Sequence, residues 1–348
     1  MATSNSASDQ GLTLASQALV ALLFVAVFML PSTGQAQYKD PAEQFGPELR
    51  RLIDPLDQSP FEARTVLSTN GLGGYDSDGC SYARGPQPRS FAIATSPTTG
   101  FSAPIGRFPA VLTEAEKKRV RLVIAEFGSL QQILAMPASG GYEIAAAIAG
   151  SLGASAYDIG ELYLQGAWTV RDTIVGFLPG LQGAGDTWRK MGEVSRLAQQ
   201  QVDPAPRTRA LFDLARISHR GGFFYERESF LKLLSTVPDA GLNAVEKRAE
   251  FRRRVALEQR LLQRAREQFE RGVQAGQGSA ADRSYYLYLV GDIDRRQGRF
   301  EAAQRAFAAV VKDSATAEEV RVLVEDIQAV LKVQERQQVQ SSDGGEGL

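Results

Sequence analysis

From about residue 113 to residue 338, apolar side chains recur every three or four positions, so nearly all of this stretch is predicted helical. The first stripe is Val120, Val123, Phe127, Leu130 and Leu134. It opens at Thr113-Glu114-Ala115-Glu116, a capping box in which the hydroxyl and the Glu116 carboxylate satisfy backbone N–H groups left free by the first turn. Three further stretches each pair two short stripes around glycine. In residues 142–168, Ala145, Ala146 and Ala149 form a smooth face, Gly153 turns the chain, and Gly160, Leu164 and Ala167 follow. In residues 211–234, Leu214, Ala215 and Ile217 precede Gly221-Gly222, with Phe223, Phe230, Leu233 and Leu234 after it. In residues 285–310, Leu287 and Val290 precede a turn at Gln297-Gly298-Arg299 and a second stripe from Phe300. A Gly- and Pro-rich loop at 176–185 should lead into a helix over about 186–201. A long helix over about 243–273 carries Phe251, Val255, Leu262, Ala265 and Phe269 on one face. Residues 316–338 read as a closing helix and 339–348 as a disordered tail.

Residues 37–111 lack this period. They are rich in Gly, Pro, Ser and Asp, with strand-like runs at 63–67 and 90–95 separated by turn chemistry such as Asn70-Gly71 and Gly85-Pro86. The expected organisation is an N-terminal segment over 1–36, a small β-rich module over 37–111 and a helical domain over 112–338.

The hairpin at 285–310 resembles a tetratricopeptide repeat. Gly291 sits where a facing helix approaches, Ala303 follows twelve residues later, and Phe307 and Val310 lie four and seven residues beyond that alanine. The resemblance departs at Asp294, which replaces the usual aromatic, and at Ala315, which replaces the closing proline. It implies a mostly α fold with a TPR-like array of helical hairpins, in which Gly291 faces Ala303, and Phe307, Gly160 and Ala167 are further packing positions. One hairpin cannot bury its own apolar face, so the array needs several.

Composition narrows the functional classes. The 348 residues hold 39 Lys plus Arg against 40 Asp plus Glu, so no long-range field favours nucleic acid or anionic membranes. Arg252-Arg253-Arg254 lies among glutamates and reads as a solvated, salt-bridged face. Residues 18–30 form an apolar run followed by Pro31 and the small residues Gly34 and Ala36, the layout of a secretory signal cleaved after Ala36, although residues 1–17 hold no lysine or arginine. Export to the periplasm or cell envelope is expected, with membrane contact only through this segment if it is retained. The lone Cys80 excludes an internal disulfide, and the lone His219 excludes a conventional His/Cys metal cluster.

The N-terminal module with the first hairpin, about residues 54–171, resembles domain-of-unknown-function family 2225, a family of uncharacterised bacterial proteins. The resemblance rests on Leu67 through Cys80, with its Gly-rich loop and Asp76-Ser77-Asp78-Gly79-Cys80, and on Leu162-Tyr163-Leu164-Gln165-Gly166-Ala167-Trp168. It implies two metal knuckles. At those places this chain carries Asp54-Pro55-Leu56-Asp57 and Ser96-Pro97-Thr98-Thr99, keeping the prolines and lacking every thiol. Neutral hydroxyls cannot replace thiolates around zinc, so no zinc and no cofactor is expected. Asp54, Asp57, Asp76 and Asp78 are the candidates for a hard-cation site, set against the simpler reading of turn-capping aspartates.

No nucleophile elbow or phosphate loop accompanies His219, Cys80 or Gly71-Leu72-Gly73-Gly74, and His219 is expected at a helix end, exposed or half-buried. The sequence therefore predicts a non-enzymatic scaffold for a protein or peptide partner. The alternative is a membrane-anchored structural or oligomerising protein that retains its N-terminal apolar segment.

Overall fold

The computed structural model describes residues 48–343 apart from 67–69, 110, 177, 179 and 238–242, with side chains described as far as residue 335. The chain divides into two units, Met1–Gln44 and Phe45–Leu348, and every described residue belongs to the second. The expected signal segment, residues 1–36, lies outside the described residues.

The fold is mostly α. Strands β1 (Glu48–Ile53) and β2 (Pro60–Thr65) pair antiparallel, Glu48 opposite Thr65. Strand β3 (Gly74–Tyr75) instead reaches forward to pair in parallel with β6 (Leu181–Gln182). Strands β4 (Ile93–Thr95) and β5 (Ser102–Pro104) form a second antiparallel hairpin. The expected run at 90–95 is strand only from Ile93, because Pro88–Phe91 form a 3-10 turn.

The helices are α1 (Glu114–Ala125), α2 (Leu130–Leu134), α3 (Ala138–Ser151), α4 (Ala156–Val175), α5 (Gly183–Gln200) and α6 (Pro204–Gly221). They continue with α7 (Phe224–Leu233), α8 (Ala244–Gln274), α9 (Ala280–Arg296), α10 (Phe300–Lys312) and α11 (Glu318–Asp343). The capping box at Thr113 is formed, with Glu116 N–H donating to Thr113 Oγ1 at 3.3 Å and Thr113 N–H to the Glu116 carboxylate at 2.8 Å. The first stripe is not one helix. It breaks at Gly128, whose φ of +102° suits glycine alone, and restarts with a second capping box at Ser129, leaving Leu134 exposed.

All three hairpins have their turns where glycine predicts them: Gly153 between α3 and α4, Gly222 between α6 and α7, and Gly298 between α9 and α10. Their packing partners differ from expectation. A Cβ at Gly291 would lie 2.7 Å from the Phe307 ring and 3.1 Å from Ala306 Cβ, so the glycine receives the phenylalanine rather than Ala303. Likewise Gly160 makes room for Phe269 of α8, 2.5 Å from the position of a Cβ, rather than for its own hairpin partner α3. Ala167, Ala303 and Phe307 are fully buried, as their role in packing requires. Leu233, expected on a packing face, is exposed, and Leu234 takes its place in the core. The closing helix runs to Asp343, so the first residues of the expected tail are helical, and residues 344–348 lie outside the described residues.

The main core joins α4 to α11 through residues such as Leu164, Leu214, Leu262, Phe269, Ile293, Phe307 and Val324. A second core is shared between the module and the first helices: Leu56, Phe101 and Ala103 pack with Val120, Ile124, Ile144 and Ile148. The β module keeps a small cluster of its own, Leu52, Phe61, Ala63, Ala94 and Ile105, and shares the second core with the helices that follow. Among the described residues no helix is long and apolar enough to cross a membrane.

Candidate functional site

The feature that ties the halves together is a loop. Residues after β3 turn back on themselves, with Gly73 N–H donating to Tyr82 O at 2.9 Å, Tyr82 N–H to Gly74 O at 2.8 Å and Asp76 N–H to Cys80 O at 2.8 Å. Gly74 has φ +79°, and a Cβ there would stand 1.9 Å from Leu181 O, so the approach of β3 to β6 admits glycine alone. This places Asp76, Ser77 and Asp78 inside the helical array, each at most 5% exposed.

Arginines from three helices receive the loop. Arg220 of α6 donates from Nε to Asp76 at 2.9 Å, spends its other nitrogens on the carbonyls of Leu178, Gly73 and Leu181, and lies 4.1 Å over the Tyr82 ring. Tyr82 O–H donates to the same Asp76 carboxylate at 2.7 Å. Arg171 of α4 donates to Asp76 at 3.0 Å, to one oxygen of Asp78 at 3.0 Å and from Nε to Glu258 of α8 at 2.8 Å, and its other terminal nitrogen is ion-paired with the second Asp78 oxygen at 2.8 Å. Trp168 Nε1–H closes the second oxygen of Asp78 at 3.0 Å. Arg295 and Arg296 of α9 each donate from Nε to Asp292 at 2.8 Å and from a terminal nitrogen to Ser77 Oγ, which in turn donates to Asp292. Tyr288 O–H donates to Ser77 O.

Four guanidiniums thus face four carboxylates, Asp76, Asp78, Glu258 and Asp292, in the interior. Burial by itself would raise Asp78, Asp292 and Glu258, but their basic neighbours prevail. Arg171 and Arg296 hold Asp78 far below the usual carboxylate range, Arg295 and Arg296 lower Asp292, and His219 and Arg171 bring Glu258 to about 2.

His219 is not at an exposed helix end. It is 3% exposed, with Nε2 at 2.5 Å from Glu258 and Nδ1 at 3.2 Å from Arg227. Burial lowers its pKa, so the ring is neutral, and because a guanidinium can only donate, Nδ1 accepts and Nε2 carries the proton donated to Glu258. Cys80 is fully buried and its thiol is pushed up, chiefly by burial, so it is held as the unreactive thiol.

The four candidate cation aspartates do not converge. Asp76 and Asp78 are saturated by arginine, while Asp54 and Asp57 belong to the other end of the module. Among the described residues no cluster of three or more His, Cys, Asp or Glu could hold a metal. The two knuckle segments do meet, with side-chain hydrogen bonds at the expected ligand positions. Asp54 accepts from Thr99 Oγ1 at 2.6 Å and from Leu56 N–H at 2.7 Å, while Ser96 Oγ accepts from the N–H groups of Thr98 and Thr99 at 3.2 and 3.4 Å. Both segments are followed by a residue of positive φ, Gln58 at 63° and Gly100 at 78°. The geometry is that of two facing turns clasped by a carboxylate and hydroxyls.

Two open concavities lie elsewhere. One, of about 540 Å³, runs between β5 and the α3–α4 turn over Phe101, Pro104, Ile148, Ala149 and Leu152, with Arg107 and Asp158 at its rim. The other, of about 670 Å³, lies between α4, α6 and the start of α8, over Ile174, Phe212, Val245 and Phe251. Neither is lined by His219, Cys80 or any member of the buried charge network. Compared with known proteins, the chain matches no family model, no curated protein and no solved structure.

Proposed function

We propose that the protein is a non-enzymatic interaction scaffold of TPR-like helical hairpins, exported to the periplasm or cell envelope, that holds a protein or peptide partner. The observation that carries this reading is where the chemistry sits. The His219–Glu258–Arg171 constellation is sealed and its charges are matched internally, so no substrate can reach it without unfolding the array. The open surface is an apolar groove with a polar rim, which suits side chains of a partner segment, and its one serine, Ser102, is buried with its hydroxyl engaged by Thr95 Oγ1 and Gly100 O.

The interior that a repeat array would offer to a peptide is filled by the chain's own Asp76–Asp78 loop, so partner contact falls to the groove beside the α3–α4 turn. Export rests on the apolar run at 18–30 and the small residues before Gln37. The experiment compares partners captured from the native cell envelope by the wild type and by Ala149→Arg, which fills the groove, with a thermal melt to show that the variant is folded. Partners lost in the folded variant support the reading. An identical captured set from both proteins removes the groove from the function.

A further inference from the structure

His219 is the only histidine in the chain, and its two ring nitrogens face groups of opposite charge. On one side Nε2 stands 2.5 Å from a Glu258 oxygen of α8, and on the other Nδ1 stands 3.2 Å from a terminal nitrogen of Arg227 on α7. The ring also packs edge-on against Phe251 of α8, with centroids 5.8 Å apart. Three helices, α6, α7 and α8, therefore meet on one buried imidazole. Only the neutral ring with its proton on Nε2 satisfies both neighbours, donating to the carboxylate and accepting from the guanidinium. A second proton, on Nδ1, sets N–H against N–H and cation against cation in the interior.

The charged groups around the ring differ in how firmly they are held. Glu258 is fixed on its far oxygen by Arg171 of α4, which is itself paired with Asp76 and Asp78. On the same helix as His219, Arg220 is bound to Asp76 and to the carbonyls of Leu178, Gly73 and Leu181. Arg227 has less to keep it. Its Nε reaches Glu228, a side chain 40% exposed, and its guanidinium lies 4.9 Å over the Phe224 ring. A proton arriving at Nδ1 is thus accommodated by movement of Arg227 towards Glu228, while Glu258 stays.

We propose that His219 is a proton-operated switch between α7 and the α6–α8 pair: the neutral ring ties Arg227 to Glu258 through itself, and a second proton expels Arg227, frees the first turn of α7 and turns the Glu258 contact into an ion pair. Burial, with the charges of Arg227 and Arg171, lowers the pKa of the ring against the attraction of Glu258, and Glu258, held at about 2, keeps its charge while the ring titrates. For a base lowered on folding, the associated stability is complete above the unfolded value and is lost as pH falls through the folded one. The switch therefore opens on the acid side.

The test uses the untagged full chain, in which His219 gives the only imidazole signals in an NMR titration. The expected result is an Nε2–H ring at pH 7.5 with a midpoint below the ordinary value of about 6.5. Arg227→Met, which removes the facing cation, should raise that midpoint by roughly one pH unit. Hydrogen exchange over residues 224–230, corrected for intrinsic rates, should accelerate as the wild type passes its midpoint. In His219→Gln, whose amide can donate to Glu258 and accept from Arg227 at every pH, it should not. An Nδ1–H ring, a midpoint at or above 6.5, or a ring that stays neutral until the chain unfolds overturns the switch, and these are read on the wild type alone. An unchanged midpoint in Arg227→Met, or the same acid acceleration of exchange in His219→Gln as in wild type, overturns it equally. The readouts do not involve partner capture, so failure here leaves the scaffold reading untouched.

Discussion

Arg171→Met is the sharpest test of what holds the loop inside the array. Arg171 is completely buried and serves three carboxylates at once, Asp76, Asp78 and Glu258. Methionine keeps much of the stem and removes the charge. Asp76 then retains Arg220 and Tyr82, and Glu258 retains His219. Asp78 keeps Trp168, its bond from Cys80 N–H and Arg296 at 3.6 Å, so it is the acid left most exposed to the cost of burial. Breaking a buried ion pair from one side costs about 3–5 kcal/mol, because the remaining charge stays desolvated without its partner. Against a total stability of about 5–15 kcal/mol this is a large fraction, and the urea midpoint should fall by roughly 1 M or more. The acid limb gives a second readout. Glu258 is held at about 2 instead of its ordinary 4.5, so it contributes about 3 kcal/mol above pH 4.5 that is lost as pH falls towards 2. Arg171 is one of the two side chains that depress it, with His219 the other, so the variant should show a shallower acid limb than wild type. A midpoint within about 0.3 M of wild type, with an unchanged acid limb, would refute the claim that the arginine carries the loop.

Two further outcomes are expected. Gly291→Ala places a methyl 2.7 Å from the fully buried Phe307 ring, and Ala303→Leu enlarges a fully buried position in the same hairpin, so each should cost roughly 1–3 kcal/mol in denaturant melts. Elemental analysis of dialysed protein should find no stoichiometric zinc, since Asp54, Asp57, Ser96 and Thr99 supply no thiolate; about one zinc per chain contradicts this.

The helices were legible because their signals are local. Thr113 with Glu116, the glycines of the three turns and the stripe from Phe251 to Phe269 each act within a few residues, and each element stands where its residues predict it. What was not legible depends on which element meets which. Gly291 and Gly160 announce close contacts, but the ring that fills each comes from the geometry of the assembled array, Phe307 in one case and the more distant Phe269 in the other. The buried arginines did leave a trace. Arg171 shares the helical phase of Leu164, Ala167 and Ile174, all buried, and a guanidinium on such a stripe demands acids from elsewhere in the chain. The residues singled out as possible ligands, Asp76 and Asp78, are those acids.

Asp294 shows how this ionic logic extends to the hairpin of α9 and α10. Where a tetratricopeptide repeat carries an aromatic, this buried carboxylate accepts from Arg266 of α8 and from Arg299 in the α9–α10 turn, each at 2.7 Å. Arg299 N–H groups thereby reach across the turn while its backbone N–H donates to Asp294 O at 2.8 Å, so the turn is fastened by charge where a ring would fasten it by packing. Arg299, a turn residue that would otherwise tolerate change, is accordingly part of the structure's bracing. The same substitution of packing by paired charge recurs at Asp76, Asp78 and Asp292. Asp76 and Asp78 join the loop to α4 and α6, Asp292 pairs with Arg295 and Arg296 of its own helix and meets the loop through Ser77 Oγ, and all three carboxylates are buried. A helical array braced in this way resists sliding of its hairpins, because any shift would separate desolvated charges, whereas apolar faces can slip with smaller loss. Rigidity of that kind is what the proposed scaffold reading requires, since a groove that holds a partner must keep its shape.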